Sequence, residues 1–71
     1  MLMSTCSITV NGEAQTMPES LNVTELLAYL QLDPRMVALE YNGEILHRQH
    51  WPITTIRAGD RFEIVTMVGG G

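Results

Sequence analysis

Cys6, Ile8 and Val10 alternate with Ser7 and Thr9, the period of two that predicts a half-buried strand. Asn11-Gly12 follows; both central positions of a tight hairpin turn want positive φ, which Asn and Gly tolerate. A second strand is predicted over 13–17, closed by Pro18. From Leu21 the period changes. Val23, Leu26, Leu27 and Leu30 form an i, i+3, i+4, i+7 stripe, the apolar face of a helix. Asn22 stands where an N-cap should, and Glu25 three residues on can reach back to complete a capping box. Asp33-Pro34 is expected to stop this helix, because a residue before proline is pushed out of the α region.

Alternation returns at Val37, Leu39 and Tyr41, a third strand. Asn42-Gly43 is a second hairpin signal, leading into a short strand over 44–46. Residues 47–51 are too few and too polar for a regular helix. A turn or one helical turn, ended by Pro52, is expected there, with Trp51 packed on the core. Ala58-Gly59-Asp60 reads as a tight turn and 61–67 as the final strand. A hairpin, one helix across the sheet, and a last strand returning beside the first define an α+β, ubiquitin-like β-grasp. Its mixed sheet should have about four to five strands packed on one principal helix.

The final strand runs straight into Val68-Gly69-Gly70-Gly71. Glycines without Cβ atoms make a thin thread able to enter a narrow channel. The expected organisation is a β-grasp domain over 1–67 and a flexible reactive tail over 68–71. Gly71 then presents the acyl carbon and Gly69 and Gly70 do the threading. Within the last strand, Phe62 and Ile64 should face the core. Val65 and Met67, on the opposite face, are candidates with Val68 for a partner interface, where methionine adapts to more than one surface.

Size and charge narrow the function. Seventy-one residues form one small core, with no room for a deep substrate pocket and a catalytic constellation. A carrier acted on by enzymes is expected, not an enzyme. The net charge of −4 disfavours nucleic acid, which wants a basic stripe, and favours steering toward a basic partner. Glu40, Glu44 and Glu63 read as solvated acids with a rim role in that steering. All four basic side chains are Arg and none is Lys, so only an N-terminal amine could capture an activated tail within such a chain. Cys6 lies on the inward face as a small hydrophobe. His47 and His50 lack partners to complete a metal site, so no metal and no bound cofactor are expected. One cysteine, no signal peptide and no run of about 20 apolar residues point to the cytoplasm and away from membranes.

Several segments together resemble the ubiquitin-like ThiS/MoaD sulfur-carrier family. They are Val10-Asn11-Gly12-Glu13, Val23-Thr24-Glu25-Leu26-Leu27, residues 37–44, Arg48-Gln49-His50-Trp51, residues 59–65 and the terminal glycines. The resemblance covers almost the whole chain. It implies adenylation of the Gly71 carboxylate by an E1-like, ATP- and Mg-dependent enzyme, ThiF. A donor such as a cysteine desulfurase then supplies sulfur to make a thiocarboxylate, which is delivered to the thiazole synthase ThiG in thiamine biosynthesis. The free carrier is expected to be a monomer. A MoaD-like role in molybdopterin synthesis and a protein-modifier role are the alternatives.

Overall fold

A computed structural model of the chain describes residues 4–67. Strand β1 (Thr5–Val10) turns through Asn11-Gly12 into β2 (Glu13–Pro18), and helix α1 (Val23–Tyr29) follows. A short 3₁₀ helix (Pro34–Met36) then leads into β3 (Val37–Tyr41) and β4 (Glu44–Ile45). A second 3₁₀ helix (Arg48–Ile53) precedes β5 (Arg61–Thr66). The five strands form one sheet in the order β2-β1-β5-β3-β4, with β1 and β5 parallel and the other neighbours antiparallel. This is the expected β-grasp, with the last strand at the centre of the sheet.

Local chemistry explains most boundaries. Both hairpins turn on Asn-Gly with positive φ, 51° and 84° at the first and 51° and 90° at the second, as a two-residue turn requires. The capping box is complete. The Glu25 amide donates to Asn22 Oδ1 at 2.8 Å and the Asn22 amide to Glu25 Oε1 at 2.9 Å. Val23, Leu26 and Leu27 are fully buried, packing with Ile8, Phe62, Leu39, Ile64 and Trp51 in one core. Cys6 belongs to that core and is not exposed for chemistry.

Two boundaries differ from expectation. Asp33-Pro34 does not stop the helix, which already ends at Tyr29. Gln31 takes a left-handed φ of 62°, its amide donates to Ala28 O at 3.0 Å, and the Leu32 amide donates to Leu27 O at 2.9 Å. Those two bonds make a Schellman motif, usually built on glycine. Asp33 instead caps the next element, its carboxylate accepting from the Arg35 amide, with Pro34 at the favoured first position. The polar segment is helical, one of the two forms expected, but Pro52 does not end it. The proline sits inside the second 3₁₀ helix, whose φ of about −50 to −70° proline already supplies. Trp51 is buried as expected, its Nε1 donating to Leu46 O at 2.9 Å.

The parallel contact between β1 and β5 is short, pairing Thr9 with Arg61 and Val10 with Phe62. A side chain extends it. Asn11 Nδ2 donates to Ile64 O at 3.0 Å, and the Ile64 amide donates to Asn11 Oδ1 at 2.7 Å. The carboxamide thus completes the ladder where the β1 backbone has turned away. Asn11→Gly keeps the turn but loses both bonds, so it should cost about 1–3 kcal/mol. Urea unfolding checks the loss, and amide exchange should accelerate first at Ile64.

Candidate functional site

The candidate site is the outward face of the sheet where β5 leaves the fold. Alternation along β5 buries Phe62 and Ile64 and leaves Glu63 and Val65 exposed, in the register read from the sequence. Cross-strand pairing extends the face: Ala38 lies opposite Val65, Glu40 opposite Glu63, and Ile45 opposite Glu40. Ile45 is 70% exposed, Val65 60%, and Met67 and Met36 just over 40% each. The Met67 amide bonds to the Met36 carbonyl, so the two methionines sit side by side beyond the ladder. Ala38, Leu39, Glu40, Ile45, Glu63 and Val65 enclose a shallow depression of about 210 Å³.

Of the expected interface residues, the structure brings Val65 and Met67 together with Ile45 and Met36, which were not singled out. Ile45 was legible in principle. A two-residue turn at Asn42-Gly43 forces Tyr41 opposite Glu44 and Glu40 opposite Ile45. Once Tyr41 faces inward, Ile45 must face outward. Val68, Gly69, Gly70 and Gly71 lie outside the described residues. His47 and His50 are exposed. Among the described residues, no three or more His, Cys, Asp or Glu side chains gather as metal ligands, and no helix is long and apolar enough to cross a membrane.

The edges of this face are fixed by polar groups. Arg48 lies 5.4 Å over the Trp51 ring, its guanidinium donating to Val37 O at 3.4 Å. The start of β5 hangs on Asp60, a buried carboxylate that the sequence showed only as part of a turn. Asp60 accepts from Tyr41 Oη at 3.0 Å, Asn42 Nδ2 at 3.2 Å and the Arg57 amide at 2.8 Å. Asn42 Oδ1 accepts in turn from the Arg61 amide at 2.8 Å. The Tyr41 ring packs on Phe62 with centroids 5.2 Å apart. Burial, and then the hydrogen bond to Asp60, raise the Tyr41 phenol above its ordinary value of 10.0. Asp33 and Arg35 form an exposed ion pair at 3.0 Å away from this cluster. The Arg35 hydrogen bonds hold the Asp33 carboxyl below its usual range.

A mixed five-stranded sheet packed on one helix, with its last strand at the centre, is the ubiquitin-like β-grasp class of fold. The particular family follows from comparison: the chain belongs to the ThiS family, matched over residues 7–71. It is similar to the thiamine biosynthesis protein ThiS of Geobacter metallireducens. The crystal structure of that protein aligns at a TM-score of 0.79 with 44% identity, over 92% of this chain and 99% of that one. The uncharacterized protein ycf40 of Porphyra purpurea is 37% identical over 71 residues, the full length of both. A thiazole synthase of Paramagnetospirillum magneticum is 38% identical over 64 residues, 90% of this chain but 20% of that protein.

Two measurements check the site. The raised phenol means the folded state holds the Tyr41 proton more tightly than the unfolded chain does. Stability from this group is therefore complete below pH about 10 and is lost as pH rises through the folded value. Tyr41→Phe should flatten that alkaline loss in denaturant titrations run against pH. Separately, Phe62→Ala should cost about 3–5 kcal/mol. Met67→Asp should barely move the melting temperature, because its side chain is outward.

Proposed function

We propose that this chain is a sulfur carrier of thiamine biosynthesis, whose Gly71 carboxylate is adenylated, converted to a thiocarboxylate and presented to a thiazole synthase. The observation that carries the reading is the family match running through Gly71, joined to a sheet whose central strand heads toward that residue. The relative named for thiazole synthase favours that enzyme as the acceptor. An E1-like adenylating enzyme and a cysteine-desulfurase-type donor complete the set of partners.

The chemistry requires little of the chain beyond a reachable terminus. A C-terminal carboxyl ionises at about 3.3–3.7 and is a poor electrophile when anionic. In the activating enzyme its oxygen attacks the α-phosphorus of Mg·ATP. The α–β phosphoanhydride bond breaks and pyrophosphate leaves. A persulfide then attacks the acyl carbon and displaces AMP, forming an acyl disulfide. A second thiol attacks the donor's sulfur, forms a disulfide with it, and releases the thiocarboxylate. Holding carboxylate and phosphate in line supplies much of the rate, and the partner provides the metal and the acid–base groups. The rigid face around Val65 and Met67 is the address, and the glycines are the arm.

With the cognate activating enzyme and Mg·ATP, the chain should support pyrophosphate exchange. With a persulfide donor and a thiol, intact mass should rise by the difference between one sulfur and one oxygen, localised to Gly71. Deleting Gly70 and Gly71, or adding one residue after Gly71, should abolish both signals without changing the melting temperature. Sulfur loading that survives either change would place the reactive group elsewhere.

A further inference from the structure

The outward face carries an electrostatic conflict. Glu40 on β3 and Glu63 on β5 are direct cross-strand partners, both exposed, and both at the rim of the apolar depression. Like charges placed directly opposite on one face destabilise a sheet, and the free protein does not relieve them. Among the described residues neither carboxylate has an ion-pair partner; the ion pair there is Arg35 with Asp33. Arg48 is engaged with the Trp51 ring and the Val37 carbonyl. Arg61 shares the face of Glu63, two positions earlier on the strand, and is within ion-pair distance of neither glutamate. Glu44, paired with Tyr41, lies on the other side of the sheet and takes no part in this conflict. A sheet serving the fold alone would be better served by a neutral residue at either position.

We propose that this face docks a segment of the adenylating enzyme that seats an apolar side chain in the depression between Ile45, Ala38 and Val65. Beside it, an arginine guanidinium bridges Glu40 and Glu63. The proposal rests on the carrier reading above and deepens it by naming the chemistry of the partner. Arginine is specified because its planar fork of five donors can bond two carboxylates at once, whereas an ammonium acts as a single point charge. The apolar floor excludes water beneath the guanidinium and strengthens the contact. The repulsion stored between the two glutamates is relieved on binding, so the pair favours the complex over the free carrier. A carrier that must be released after each turn gains from an attraction that salt and water can screen.

The inference makes stability and binding move in opposite directions. Glu63→Gln and Glu40→Gln should each raise the melting temperature, by about 1–3 °C. Each should also weaken binding to the cognate adenylating enzyme about tenfold at low ionic strength, as for a close interfacial charge pair. The deficit should shrink as salt is added. Glu63→Lys should raise stability further, through a new pair with Glu40, and weaken binding more. Glu19→Gln, with the same change in net charge on an exposed turn, should leave affinity unchanged and so exclude a bulk-charge effect.

Calorimetry or fluorescence titration with the adenylating enzyme reads the binding, and pyrophosphate exchange is followed in parallel. If both glutamine variants bind within about twofold of the native chain while Val65→Asp does not bind, the bridging arginine is wrong and the docking face stands. If Val65→Asp also binds normally, the face is not the dock. A fall in melting temperature for the glutamine variants would remove the premise of repulsion. A native chain that neither binds nor supports exchange would overturn the carrier reading itself, and this proposal with it.

Discussion

The fold depends on the side-chain amides of two asparagines that grip the last strand from opposite sides. Asn11, in the β1–β2 turn, exchanges two hydrogen bonds with the Ile64 backbone. Asn42, in the β3–β4 turn, receives the Arg61 amide and donates to Asp60. A carboxamide carries a donor and an acceptor, as a peptide unit does, so Asn11 pairs with β5 as if one more strand residue were present, while Asn42 holds the first β5 amide and the Asp60 carboxylate together. Aspartate would tolerate the same turn but would set a carboxylate against the Ile64 carbonyl at position 11 and against the Asp60 carboxylate at position 42. The backbone requirement for positive φ and the tertiary requirement for an amide coincide at the same two positions.

That coincidence shows how much of the molecule was legible. Strand alternation, both hairpins and the capping box rest on short-range patterns, and each was readable; the order of the elements placed the last strand beside the first, and the structure sets it at the centre of the sheet. Asn11 was read only as a turn residue because its partner Ile64 lies 53 positions away. No local pattern marks such a pairing. Asp60 was hidden for the same reason, a polar residue whose burial is justified by three donors, two from the adjacent Tyr41 and Asn42 and one from Arg57. The helix terminus failed differently. Gln31 in a left-handed conformation carries no sequence signal, whereas Asp33-Pro34 carries a strong one that belongs to the next element. At the site, Val65 and Met67 followed from period alone. Met36 and Ile45 needed the register between strands.

The face beside β5 combines two demands that a stable fold does not make. Large apolar side chains are left in water, and two carboxylates are held side by side. Burial of Phe62, Ile8 and the α1 stripe supplies the stability that tolerates both. The core is thus conservative and the outward face is not, although they are built from alternate residues of the same strands. A substitution one position along β5 moves from one set of constraints to the other.

The central place of β5 also has a mechanical consequence. On the proposed carrier reading, an enzyme that draws the chain end into a channel would pull along this strand. β5 is flanked by the parallel β1 and the antiparallel β3, so tension beyond Met67 loads the bonds to both neighbours together, in shear. An edge strand pulled outward would peel open one bond at a time. The carrier can therefore be tugged by its end and let go without losing its shape, a handle fixed through the middle of the tool.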